Sequence, residues 1–585
     1  MNIKAALASL QAGKKKVEPV RLLTPWGEKL DPDRVLPEYP RPQLARSSYI
    51  NLNGWWDAAV THGDIPRSYS RRILVPFSPE SLLSGMDHRL QPDEVLWYRR
   101  TIPVDEIPEG MRLLINFGAV DQSAVVFLNS KEVTSHEGGY LSFSADLTPF
   151  LKEGENELIV RVTDPSDTGS GGRGKQMLSP GGMFYTATSG IWQTVWLEWV
   201  PEVHVRELKI TPDIDAGALK LKVFAEGASN ALPFEVRIPE YGVSMTGETG
   251  DTLVIPIPDA HLWSPEDPHL TPFTVKLGGD VVISYFAMRK FSVGRDDSGE
   301  PRLMLNNRPY FMHGVLDQGY WSDGMYTAPS DEALMYDIRE MKALGFNTLR
   351  KHIKVEPMRW YYHCDRLGMI VWQDMVNGGG AFNKLYLTYL PTVIPAMTTR
   401  MGDHSYGLYA RTDPEGRRKW IRETRGTIRQ LYNVPSIGLW TAFNEGWGQF
   451  DAEKNVAKMK SWDPTRPIDE ASGWFDQGSG DIRSVHNYFR KLTVEHTHRP
   501  FCITEYGGLT LPVSGHLYST EAYSYEMVQD GATLKERFAE LMKEIRGLEK
   551  EGLSGAIYTQ VSDIEEEVNG ILTFDRRVNK LKDEY

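Results

Sequence analysis

Residues 330–374 read SDEALMYDIREMKALGFNTLRKHIKVEPMRWYYHCDRLGMIVWQD, and this stretch decides the architecture. Ser330 is a candidate N-cap, Asp331 and Glu332 fall in a first helical turn where the helix dipole favours acids, an apolar stripe follows, and Gly345 stops the helix. The strand-like run FNTLRKH comes next, then the helical EPMRWYYHCDRLG, then the strand-like MIVWQD. Alternation of this kind predicts βα units with parallel strands.

The pattern extends in both directions. Upstream lies YFMHGV; downstream come SIGLWTAF, PIDEAS, SVHNYF, FCITEYG and SGAIYTQ, with the helical runs EGRRKWIRETRGTIRQLYN and TLKERFAELMKEIRGLEKEG between some of them. Residues 296–585 thus hold eight strand-like runs, the number in an eight-stranded βα barrel, which typically needs ~250 residues. No strand is followed by GxGxxG or a phosphate loop, which argues against a doubly wound sheet. From 47 to 200, runs such as RLLINFGAV, SAVVFLNSKEV and NELIVRV alternate apolar and polar residues, as antiparallel sandwich strands do. LKLKVFAEG, TLVIPIP and FTVKLGG continue that style from 201 to 295 and predict a second, smaller sandwich. The expected chain is multidomain: an extension (1–46), two β-sandwiches (47–200 and 201–295) and a C-terminal barrel (296–585).

Composition narrows the function. With 585 residues, 41% hydrophobic and 24% charged, the chain is globular in kind, and its net charge of −13 argues against a nucleic-acid partner. Its two cysteines, Cys364 and Cys502, form no disulfide framework or Cys-based zinc pattern, which fits a reduced compartment. In MNIKAALASLQAGKKK the lysines follow a short apolar run instead of preceding it, so no signal peptide is expected. The uncharged stretch 176–197 is too rich in Gly, Ser and Thr for a membrane helix. A soluble, cytoplasmic protein without a membrane partner is expected, with a homo-oligomer left open. The 16 Trp, 26 Tyr and 21 Phe serve cores, and also sites that grip flat ligand faces.

The barrel reading says where chemistry belongs, because active sites of such barrels sit at the carboxyl ends of the strands. Two acids stand there: Glu445 after SIGLWTAFN and Glu505 after FCIT. Glycoside hydrolysis uses such a pair, one protonated to assist the leaving oxygen and one ionised to attack the anomeric carbon, ~5–5.5 Å apart in retaining enzymes.

LNGWWD, LWYRRTIPV, FGAVDQSAVVFLN and TSGIWQTVWLEWV, followed by LGFNTLRKH, YYHCDRLGMIVWQD, NVPSIGLWTAFNEG, DPTRP and RPFCITEYGG, form an ordered series over residues 47–575. It resembles glycoside hydrolase family 2, the β-galactosidase, β-glucuronidase and β-mannosidase group. The resemblance implies a jelly-roll sugar-binding-type domain, an immunoglobulin-like sandwich and a (β/α)8 TIM barrel. It also implies Glu445 as general acid/base, Glu505 as nucleophile, Asn444 on the sugar 2-hydroxyl, and Tyr488 hydrogen-bonded to the nucleophile. Arg350 either orients that nucleophile or makes a structural ion pair, and Asp374 either contacts sugar hydroxyls or anchors a loop. Trp440 reads as packing and Trp447 as a sugar platform; His486 reads as core.

Departures from the family bear on substrate. Arg350-Lys351-His352 is one residue shorter than the family's Arg-x-x-His, so His352 is only a neighbour of that position. Asn377-Gly378-Gly379-Gly380 lacks the acid-x-His of the metal-dependent members, and neither a metal nor a cofactor is expected. The last strand lacks the family Trp, leaving Tyr558 or Gln560 to take its place. Asp563, Glu565, Glu566 and Glu567 in VSDIEEEVNG read most commonly as a solvated acidic turn; at the pocket mouth they would instead repel a uronate or bind a basic partner, which favours a neutral sugar. The expected activity is a retaining exo-β-glycosidase on a neutral carbohydrate, β-galactosidase-like, with other family specificities (β-mannosidase, β-xylosidase, furanosidase, β-glucuronidase) or a non-catalytic sugar binder as alternatives.

Overall fold

The computed structural model describes residues 20–383, 385–389, 391, 398 and 401–584. The amino-terminal stretch behind the signal-peptide expectation, residues 1–16, lies outside these residues. No helix among them is long and apolar enough to cross a membrane.

The first sandwich pairs a four-stranded sheet, in which Val195–Pro201 and Met111–Phe117 are central, with a six-stranded sheet centred on Val95–Val104 and Gly154–Thr163. Period-two alternation puts Leu96, Tyr98, Ile115, Phe117, Val126 and Val160 into its core. The second sandwich packs a three-stranded sheet, His204–Asp213 with Ala218–Glu226 and Thr252–Pro256, on a four-stranded one. Both are antiparallel, as the alternation requires.

The barrel strands are Met312–Asp317, Thr348–Lys351, Ile370–Asp374, Ile437–Asn444, Ile468–Ser472, Arg483–Asn487, Phe501–Gly507 and Leu553–Thr559. Each coincides, within a few residues, with one of the eight runs read from the sequence. They pair in parallel in one sheet that is nearly closed: the fifth and sixth strands are its two edges, without backbone pairing among the described residues. Side chains bridge this seam instead. Ser484 Oγ donates to Asp469 Oδ1 at 2.8 Å, and Ser472 Oγ meets His486 Nε2 at 3.0 Å.

Five α-helices of the barrel region lie among the described residues. Asp331–Ala343 starts as expected, with Ser330 Oγ accepting from Ala333 N, and Gly345 beyond its end has φ +89°. Met358–Leu367, Pro414–Leu431 and Gly531–Glu551 are the other three anticipated helices. Ala452–Trp462 was not anticipated: only Ala452, Asn455, Val456 and Met459 are buried, a weak stripe. The connections between the fifth and sixth strands and between the sixth and seventh carry no α-helix among the described residues.

Inward-facing Met312, Leu316, Ile370, Trp372, Leu439, Cys502 and Ile557 fill the barrel. Trp263 of the second sandwich and Phe291, Leu303 and Leu305 of the hairpin Phe291–Arg295/Pro301–Leu305 join the same cluster. The barrel interior is therefore packed, leaving the carboxyl-terminal mouth for chemistry.

Candidate active site

Glu445 and Glu505 meet at that mouth, 7% and 5% exposed. One donor atom from each of Glu445, His486 and Glu505 lies within 4.8 Å of the other two. The two carboxylates come from strands on opposite sides of the seam, and their environments differ.

Glu505 continues the seventh strand. Its Oε1 accepts from Arg350 Nη1 at 3.1 Å and its Oε2 from Tyr488 OH at 2.5 Å. Arg350, wholly buried at the end of the second strand, also donates from Nε and Nη2 to the two oxygens of Asp374 (3.0 and 2.9 Å), and from Nη2 to Asn444 Oδ1 at 2.8 Å. His352 Nδ1 lies 2.8 Å from Asp374 Oδ2. Burial alone would raise the Glu505 carboxyl, but the charges of His486 and Arg350 outweigh it and hold the group at about 2. Glu505 is thus ionised at neutral pH. His352 is pulled down to about 4 by burial first and then by the charge of Lys175, and is neutral there.

Glu445 occupies a backbone position few side chains adopt, with φ +52°, just past the fourth strand. Its N–H donates to Ser472 O at 2.9 Å, locking the turn to the fifth strand. His486 Nδ1 lies 2.9 Å from its Oε1 and 3.4 Å from Glu505 Oε2. The hydrogen bonds behind His486 are directional: Ser472 Oγ donates to Thr504 Oγ1 at 2.8 Å, so it accepts from His486 Nε2–H. Nδ1 is left to share a proton with Glu445.

Several sequence expectations are corrected. Tyr558 faces outward, edge-on to Tyr506 and Phe538, because period two on the last strand turns Ala556 and Tyr558 to the helices and Ile557 and Thr559 inward. Thr559 is the residue beside the acids, its Oγ1 3.0 Å from Tyr488 OH. Gln560 is bonded to Gln318 and to Asn569 and touches neither acid. Trp447 is no open platform: it is 2% exposed, with Phe184 and Phe382 centred 5.5 and 6.0 Å from it. Asp374 has both oxygens engaged, which makes it the anchor of Arg350, and Trp440 is packing with its Nε1 on Asp463. Asn444, next to Glu445, accepts from Arg350 at Oδ1, and its Nδ2 is buried without a partner among the described residues.

The acids of VSDIEEEVNG are not a free rim either. Asp563 pairs with Lys580 at 2.7 Å, Glu565 accepts from Thr186 N, Glu566 from Gly182 N, and Glu567 bonds Tyr185 and Asn569. Glu565, Glu566 and Glu567 staple the first sandwich to the barrel mouth, Asp563 pairs within the barrel region, and burial lifts Glu565 to about 7. Sequence reasoning missed His486 and Thr559; their signal was adjacency to Tyr488 on one strand and strand parity on the other. Glu445, His486 and Glu505 are spaced so that they could surround an ion, but the His486–Glu445 contact is itself a hydrogen bond, which binds the donors to one another.

A βα barrel with two carboxylates facing across its carboxyl-terminal mouth is the kind of site in which glycosidic bonds are broken. Residues 299–584 match the glycosyl hydrolases family 2 TIM barrel domain, and residues 87–201 match that family's sugar binding domain. The chain belongs to glycoside hydrolase family 2. The β-galactosidase large subunit of Leuconostoc lactis is 25% identical over 439 residues, 72% of this chain and 64% of that protein. The chain spans about half the length of the curated relatives it matches. Among solved structures, a β-glucuronidase from an uncultured Clostridium sp. superposes with TM-score 0.70 at 18% identity, covering 92% of this chain and 97% of that one. A β-galacturonidase from Eisenbergiella tayi gives 0.67 at 19%, covering 94% and 96%.

Proposed function

We propose that the protein is a retaining exo-β-glycosidase that releases a terminal sugar by double displacement. The observation that carries this reading is the pair Glu445 and Glu505, with donor atoms within 4.8 Å, a separation that suits direct attack and falls short of the ~6.5–9.5 Å over which an inverting pair seats its water. Glu505, ionised and aimed by Arg350 and Tyr488, attacks the anomeric carbon. Glu445 gives the proton it shares with His486 to the departing oxygen, and then takes one from the water that releases the sugar. Asn444 Nδ2 is free to hold the sugar 2-hydroxyl, a contact that strengthens as the transition state forms.

β-Galactosidases and β-glucuronidases both stand among the similar proteins, so the neighbours do not choose the sugar. The sequence-based preference for a neutral sugar rested on free acids at the mouth, and these are engaged within the protein. A screen over nitrophenyl β-glycosides, with the first-formed anomer read by NMR, tests the reading: β-product is expected. Initial release of the α-anomer would refute the double displacement.

A further inference from the structure

The loop that the first sandwich lays on the barrel carries a charge that the catalytic pair does not require. Arg173 N and Gly174 N donate to Asn377 O, Gly172 bridges Gly378, and Gly174, at φ +59°, sits where a Cβ would lie 3.0 Å from Ile353 O. This close approach delivers Lys175 to the mouth. Lys175 is 6% exposed, and among the described residues its Nζ has no hydrogen bond and no ion pair. It lies 5.7 Å from the ring centre of Trp447 and 5.9 Å from that of Tyr185, near the outer limit of a cation–π contact. Its acidic neighbours are taken: Glu565 holds Thr186 N, and Glu567 holds Tyr185 and Asn569. Its charge reaches both Glu505 and His352.

Two further cations at this docking contact make no ion pair within 4 Å among the described residues, although the charge of Glu423 acts on Arg411. Arg173 spends its guanidinium on the carbonyls of Gly379 and Gly380. Arg411 donates to Gly448 O, and its Nη2 is buried without a partner among the described residues. A buried cation without an anion is costly, and a fold keeps one where a ligand completes it. Asn377, on which the loop rests, likewise has both side-chain amide atoms buried and unbonded.

We infer that Lys175 is the receptor for a carboxylate on the sugar, so that the substrate of this site is a β-uronide. The inference rests on the glycosidase reading for its position and adds the substrate class. The sugar carboxylate would accept a charge-assisted hydrogen bond from Nζ, and the neighbouring cations would hold its charge away from ionised Glu505. A neutral sugar leaves Nζ desolvated and unpaired, which selects against it.

The test compares nitrophenyl β-glucuronide and β-galacturonide with the matching glucoside and galactoside, in the full chain and in Lys175→Met. The wild type is expected to favour a uronide at least tenfold in kcat/KM, and Lys175→Met to lower that ratio by about 10- to 100-fold. The variant keeps the length of the side chain and removes a charge that makes no ion pair, so its Tm should stay close to that of the wild type. A wild-type preference for the neutral sugars would overturn the inference while leaving the glycosidase reading intact, and so would an equal loss on both kinds of substrate. If no glycoside is cleaved, the glycosidase reading fails. Calorimetric titration with glucuronate and galacturonate then decides on Lys175: binding lost in Lys175→Met supports it, and absence of wild-type binding overturns it.

Discussion

The two sides of the barrel seam present the same side chain in opposite settings. On one side Glu505 extends a regular strand and receives Arg350 and Tyr488, with Asp374 and neutral His352 fixing the arginine from behind. On the other, Glu445 stands on a left-handed turn and faces an imidazole whose far nitrogen is committed to a serine hydroxyl. Cationic, rigid surroundings keep a carboxylate ionised and aimed; a proton-sharing partner lets one give and regain a proton. The environment, not the residue type, separates the roles. The seam makes this possible, since side chains, not backbone, bridge the fifth and sixth strands there.

The largest effect that would break the contrast is loss of the attacking group. Glu505→Gln keeps the shape and removes the nucleophile, so kcat should fall at least ~10⁴-fold on every substrate, whatever its leaving group. Glu445→Gln should behave differently. On an alkyl or sugar leaving group its loss should be about 10²–10⁴-fold, but on dinitrophenyl glycosides, whose leaving group needs no proton, formation of the glycosyl-enzyme should be nearly spared. Single-turnover kinetics of both variants on both substrate types make the comparison. If the two variants lose equally across leaving groups, Glu505 and Glu445 do not divide the roles of nucleophile and acid/base.

Much of this was legible in the sequence because it is repetitive or local. Eight apolar runs with helices between them announce a barrel, and an acid just past SIGLWTAFN or FCIT announces the mouth. What was not legible depends on side-chain direction and on long-range pairing. Strand parity, invisible without a register, exchanged Tyr558 for Thr559. The acids of VSDIEEEVNG resemble a solvated turn until residues 182–186 of a distant sandwich are seen to donate to them. Lys175 is an ordinary loop lysine in sequence, and only the docking of that loop on Asn377 and Gly378 makes it a buried cation beside the acids. His486 reads as core because its partner Glu445 lies on another strand.

The smallest effect concerns the second histidine, and it sharpens the contrast through stability. His352 is fully buried against Asp374 and Arg350, and burial foremost holds it at about 4, below the 6.5 of an unfolded histidine. As pH falls from about 6.5, the unfolded chain takes up this proton first and the folded one does not, so folding loses stability until about pH 4. At pH 5 the loss is on the order of 2 kcal/mol. His313, held at about 3 by burial, adds to the same trend but contributes equally in a variant that leaves it alone. His352→Gln retains a donor for Asp374 and cannot titrate. Between pH 7 and pH 5 its Tm should therefore drop by about 1–3 °C less than that of the wild type. Parallel curves for the two proteins would mean that the imidazole behind Arg350 is charged, and that it joins His486, Arg350 and Lys175 in keeping Glu505 ionised.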